Sequence, residues 1–191
     1  MHEAILPGLI KQFQYYKNLG DKTFQQIEDD QMHWQYNEDS NSPAILINHI
    51  SGNMLSRFTN FLTEDGEKTW RNRDAEFEGG NASKEVLLKK WDEGWSCLFQ
   101  VLESLSENDL DKMVYIRNMG HTVFEALNRQ LAHYAYHIGQ IVFIGKILKG
   151  ANWQSLSIPR GESEVYNKQQ FRHPRERKHF TDDFLKGEDR E

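Results

Sequence analysis

Two histidines, His133 and His137, lie four residues apart in the stretch LAHYAYHIGQIVFIGKIL. If this stretch is helical, both imidazole rings leave the same face of the helix, one turn apart. Two neutral imidazoles in that arrangement can bind one metal ion. The spacing alone is a weak motif, and Tyr134 stands where the zinc-protease motif H-E-x-x-H has its glutamate. It therefore indicates a candidate metal site that is not of the zinc-protease type.

A third histidine, His49, lies in the run NHISGNM, among residues typical of a buried helix surface. A lone histidine in such a place is more often a core residue with one satisfied hydrogen bond than a metal ligand. However, three imidazoles from two helices of a bundle would bind one divalent ion and leave positions open for water or substrate. Asn53 lies one helical turn from His49, on the same face.

Four amphipathic stretches are predicted to be the helices that position these residues. Their apolar side chains recur at helical spacing over residues 4–30, 42–62, 83–105 and 123–148. Pro43 suits the first turn of the second helix, and Ser83 suits the N-cap of the third. Apolar residues nearly encircle the last helix, which predicts a helix buried on most sides.

Polar side chains interrupt the apolar surface of that last helix, at Asn128, Arg129, Gln130 and Gln140. Burying such a group without a partner costs about 1–3 kcal/mol. We therefore expect these residues to have polar partners inside the fold.

The connection between the second and third helices reads TEDGEKTWRNRDAEFEGGNAS. Its charges alternate in sign, which is typical of a solvated loop with local ion pairs. Trp70 and Phe77 need cover, so we expect the loop to pack on the bundle. Alternatively, Arg71, Arg73 and Asp74 rim a cleft.

The remaining segments are predicted to be short. The run MVYIR at 113–117 is β-rich, NMGHT is a turn in which His121 or Thr122 caps the last helix, and 162–171 form a short helix. We expect one domain over residues 1–171. Residues 172–191 form a charged C-terminal tail whose composition is typical of an exposed segment.

Composition excludes several classes of protein. Hydrophobic residues make up 38% of the 191 residues, which is typical of a globular chain rather than a disordered one. The net charge of −6 argues against nucleic-acid binding. No apolar run approaches the length of a membrane span, and the N-terminus lacks a signal-peptide pattern. Cys97 is the only cysteine, so no intramolecular disulfide can form and we expect a cytoplasmic protein. Because Cys97 lies in the apolar helical run WSCLF, we expect it to fill the core rather than act as a nucleophile.

Several of these segments resemble a known family. The order of long helices, with NHISGNM and HYAYHIGQI, resembles the DinB-like (damage-inducible B) four-helix-bundle superfamily. GEKTWRNRDAEF and LSIPRGES are similar to an uncharacterised bacterial branch of it, and the resemblance covers about residues 5–170. It implies an all-α four-helix bundle with long loops and a C-terminal extension. It also implies a divalent metal, often zinc or nickel, bound by residues that match His49, His133 and His137.

The resemblance implies a candidate activity as well. Characterised relatives include transferases and isomerases that use low-molecular-weight thiols such as mycothiol and bacillithiol. The metal would bind the thiol sulfur and lower its pKa, so that a thiolate meets an electrophile. A small-molecule substrate and a homodimer are expected, and no catalytic residue is assigned. Residues expected to orient ligands or support the metal site are Asn53, Arg129, Gln130, Gln140 and Arg160, the last as a carboxylate partner or simply a surface turn residue.

Two other functions remain open from the sequence. A metal-activated water could hydrolyse an amide or ester, but this needs a general base, and Glu125 lies two turns before His133. A non-enzymatic stress protein with a structural metal would need no base at all.

Overall fold

Four long helices form a bundle in the computed structural model, which describes residues 5–185. They are α1 (Ile5–Gln26), α2 (Pro43–Phe58), α3 (Lys84–Ser104) and α4 (Val123–Lys149). Two short helices follow, α5 (Ser163–Gln170) and α6 (Asp182–Leu185). The prediction of an all-α bundle is confirmed.

Hydroxyl side chains cap three of the long helices at the places that their sequences indicate. The Ser42 and Ser83 side chains accept hydrogen bonds from backbone N–H groups three residues later. Thr122 does the same at α4, and the Glu125 side chain accepts in return from the Thr122 backbone N–H. This reciprocal capping box fixes where α4 begins, and so the rotation of its histidine face.

A small hairpin precedes α4, where the sequence predicted a turn. Strand β1 (Met113–Ile116) pairs antiparallel with β2 (Met119–Thr122). Arg117 and Asn118 connect them with φ values of 55° and 61°, as in the two-residue turns that match strand twist. The prediction that NMGHT is only a turn was therefore wrong, because its last four residues extend along MVYI.

The core lies between two helix pairs, α2 with α3 and α1 with α4. A Cβ atom on Gly94 of α3 would lie 2.9 Å from the Ser51 Cα, so glycine lets these two helices approach closely. Aromatic rings from three helices fill the centre, and their buried members include Phe13, Phe24, Trp91, Trp95 and Tyr134.

One side of α4 faces solvent, contrary to the expectation of a helix buried on most sides. Phe124, Tyr136, Phe143 and Ile147 are all exposed. Apolar composition shows that a helix can be buried, but only the positions of its neighbours decide which sides are covered.

The C-terminal segment packs on α1 of the same chain. Lys11 Nζ lies 2.6 Å from Asp182 Oδ1, and the Tyr15 ring contacts those of Phe180 and Phe184.

Within residues 5–185, none of the helices combines the length and apolar character that crossing a membrane requires. The structure holds a single chain, so the homodimer stays a prediction.

Candidate metal centre

Helices α2 and α4 bring the three predicted ligands together. His133 Nε2 lies 3.3 Å from His49 Nε2 and 3.1 Å from His137 Nε2. One nitrogen from each of the three rings falls within 4.8 Å of the other two, and the rings stand edge to face. The three Nε2 atoms therefore converge on a common point.

These distances fit a divalent ion. Zinc–nitrogen bonds of about 2.0–2.1 Å at a tetrahedral angle separate two ligand nitrogens by about 3.3–3.4 Å. Without an ion, His133 Nε2 can donate a proton to only one of the two nitrogens that face it. The other contact would then join two lone pairs, which a cation at the centre would relieve.

Burial favours the uncharged form of two rings in this cluster, His133 and His137. Burial, together with the neighbouring His137 and His49 rings and two arginines, lowers the pKa of His133 from 6.5 to about 3. Burial also lowers the pKa of His137. Both rings are therefore neutral at physiological pH, which is the state that binds metals.

The connection between α2 and α3 reaches the other nitrogen of His49. The Glu76 carboxylate lies 3.0 Å from His49 Nδ1 and is only 9% exposed. Arg71 binds both carboxylate oxygens, at 2.7 Å from Nε and 2.8 Å from Nη2. Although burial favours the neutral acid, the hydrogen bonds from His49 and Arg71 hold the pKa of Glu76 below its ordinary value.

The same loop covers the outer face of the His49 ring. The Phe77 ring centroid lies 4.7 Å from that of His49, and the Arg73 guanidinium lies 5.0 Å from the Phe77 ring. Phe77 is half-buried, as expected, whereas Trp70 is 59% exposed, so the expected cover for Trp70 was wrong. Asp74 is exposed as well.

Two of the residues expected to support the site lie beside it. Gln140 Oε1 lies 3.3 Å from His137 Nδ1, and so accepts from the ring nitrogen that faces away from the cluster. Asn53 is buried and accepts a 3.0 Å hydrogen bond from the Tyr134 hydroxyl. Tyr134 itself packs against His133, with ring centroids 5.5 Å apart.

Three other residues from that set have different surroundings. Arg129 is exposed and donates toward His121, 3.1 Å away, at the hairpin. Gln130 is buried, and its Oε1 has no hydrogen-bond partner among residues 5–185. Arg160 is exposed in the turn before α5.

Hydrogen bonding and burial disfavour a catalytic role for Glu125 and Cys97. The Glu125 carboxylate is bonded to Thr122 in the capping box. Burial raises the pKa of the Cys97 thiol, which keeps it protonated.

Sequence reasoning missed Glu76, although it predicted that the nearby Arg71 could line a cleft. The available signal was a carboxylate five residues after an arginine, beside an aromatic residue in a charged loop.

A family model matches most of the chain. The family model described as "Protein of unknown function (DUF1572)" matches residues 2–162, which is most of the chain and includes all three histidines. The searches of curated proteins and of solved structures found no match to this chain.

Proposed function

Because the chain belongs to this DUF1572 family of unknown function, we propose a function from its own site: a divalent-metal-dependent S-transferase that uses a low-molecular-weight thiol of the bacillithiol type. The observation that carries the proposal is the convergence of three imidazole nitrogens, one from each of His49, His133 and His137, on one point. The resemblance to DinB-like proteins supplies the thiol chemistry, and zinc or nickel is the metal it suggests.

The chain's own residues set up this chemistry. His49 and His137 are buried and His133 is half-buried, so we assign the approach of the thiol to the His133 side of the cluster. When bound, a divalent ion would lower the pKa of a thiol on that side. The thiol proton would pass to solvent, the sulfur would bond to an electrophilic carbon, and the leaving group would depart with the bonding electrons.

A groove next to His137, on the side of that ring that faces away from the cluster, suits an extended part of the electrophilic substrate. It has a volume of about 560 Å³, within the range of about 300–1,000 Å³ for small-molecule sites. Its lining includes the exposed rings of Tyr36, Tyr136 and Phe143. Tyr136 also packs on His137, with ring centroids 4.9 Å apart, and Gln140 both lines the groove and contacts His137. Because Asp39 lines it too, we assign the groove to a neutral, aromatic or apolar part of the substrate.

Metal analysis tests the ligand set. Protein purified without a histidine tag is expected to hold about one divalent ion per chain, measured by plasma mass spectrometry. His133→Ala combined with His137→Ala removes two ligands and should abolish binding. His121→Ala combined with His173→Ala is the matched control, because it removes two histidines outside the cluster. Equal metal content in both double variants would exclude the site.

A conjugation assay tests the reaction. Metal-loaded protein, bacillithiol and chlorodinitrobenzene should release chloride and form the thioether faster than the uncatalysed mixture. The His133→Ala, His137→Ala variant should show only the uncatalysed rate. If the loaded protein adds nothing to that rate, yet chelation unfolds it, the metal is structural and the transferase proposal fails.

A further inference from the structure

We propose that Glu76, clamped by Arg71, is the residue that positions His49 for metal binding, so that the connection between α2 and α3 forms part of the metal centre. The inference rests on the proposed metal site and adds to it a positioning residue from outside the three histidines. Glu76 lies 27 residues from His49 in the chain, yet its carboxylate is within hydrogen-bond distance of the ring.

The hydrogen-bond geometry fixes the tautomer of His49. A carboxylate whose two oxygens both pair with one guanidinium is ionised and can only accept hydrogen bonds. His49 Nδ1, which faces this carboxylate, must therefore carry the proton. Nε2 then presents its lone pair to the point where the other two histidines converge, as in carboxylate–histidine–metal arrangements generally.

Packing holds the carboxylate and the ring in that arrangement. A Cβ atom on Gly52 of α2 would overlap Glu76 Oε1, so the glycine makes room for the carboxylate against the helix. Phe77 lies against the His49 ring from the same loop. Because the Arg71 side chain is almost fully buried, the ion pair is shielded from water and is more rigid than a surface pair.

His137 has a weaker partner than His49 has. Gln140, the Nδ1 partner of His137, is a neutral amide at the longer distance of 3.3 Å. Charged acceptors form shorter and stronger hydrogen bonds than neutral ones. Glu76 should therefore contribute more to metal affinity than Gln140 does.

The test compares Glu76→Gln with Glu78→Gln, which removes the same charge from an exposed position in the same loop. We expect Glu76→Gln to weaken cobalt(II) and zinc binding about 10- to 100-fold and to change the cobalt ligand-field spectrum. Glu78→Gln should do neither. Arg71→Lys keeps the positive charge but loses the bidentate contact with Glu76, so we expect it to weaken metal binding less than Glu76→Gln does. This variant provides the test if Glu76→Gln fails to fold.

Nitrogen NMR of the metal-free protein provides a second measurement. His49 should carry its proton on Nδ1 in the unmodified chain. In Glu76→Gln, a mixture of the Nδ1-protonated and Nε2-protonated tautomers should appear. An unchanged tautomer and unchanged affinity in Glu76→Gln and Arg71→Lys would overturn the inference while leaving the metal site intact. An unmodified chain that binds neither cobalt nor zinc would instead overturn the proposed function.

Discussion

Replacing Gln140 with glutamate should tighten metal binding at the histidine cluster. Gln140 Oε1 already accepts from His137 Nδ1 at 3.3 Å, and glutamate has the same shape as glutamine. The change would give His137 the kind of charged partner that His49 has in Glu76. Because Gln140 contacts the nitrogen that faces away from the other histidines, the new carboxylate would act on the ring rather than bind the metal.

The size of the gain follows from the surroundings. Loss of a group that supports a metal ligand typically lowers affinity about 10- to 100-fold. Gln140 is half-buried, so solvent screens part of the new charge, and the lower end of that range applies. We expect a dissociation constant roughly tenfold lower, which corresponds to about 1.4 kcal/mol.

Competition titration with a chromophoric chelator at constant ionic strength measures this gain. Gln140→Asp is the matched control, because it adds the same charge on a side chain one methylene shorter that falls away from His137 Nδ1. If the two variants tighten zinc binding equally, general attraction between charges explains the gain. Unchanged or weaker binding in Gln140→Glu would refute the reasoning from ring support.

Two further outcomes concern acid stability and the groove. In the metal-free protein, His133 stays neutral down to about pH 3, whereas the unfolded chain binds a proton near the ordinary pKa of 6.5. The free energy of unfolding should therefore fall as pH drops from about 6.5 toward 3. The urea concentration at the unfolding midpoint should fall less over this pH range in His133→Ala than in the unmodified chain. In the groove, Phe143→Ser should raise KM for an aromatic electrophile several-fold without changing metal content. Light scattering on the same variant gives its mass in solution; if the unmodified chain is a dimer and the variant is a monomer, a second chain covers this surface instead.

The local parts of the fold could be predicted from sequence because short-range chemistry determines them. Ser83 and Thr122 act as N-caps through hydrogen bonds to groups three residues away, so their role is visible in the sequence. The spacing of His133 and His137 on one helical face is local for the same reason. Placing His49 beside them required the tertiary fold, which the helix order and the family resemblance indicated.

The long-range parts could not be predicted in the same way. The charge pattern around Arg71 and Glu76 is the same whether the loop is solvated or folded against the bundle. Burial of the Arg71–Glu76 pair depends on the space that Gly52 leaves on α2. The exposed side of α4, including Phe143, depends likewise on where the other helices stop.

The balance of charge around the cluster connects these observations with the proposed chemistry. Arg71 pairs with Glu76, and Arg57 pairs with Glu67 at 3.1 Å, so both of these buried guanidinium groups have a carboxylate partner. The three imidazoles that would bind a metal are themselves neutral ligands. A divalent ion there would therefore keep its charge uncompensated by the protein, since both carboxylates are committed to arginines. Such a centre would favour an anionic ligand from outside the protein, which the thiolate of the proposed reaction would supply.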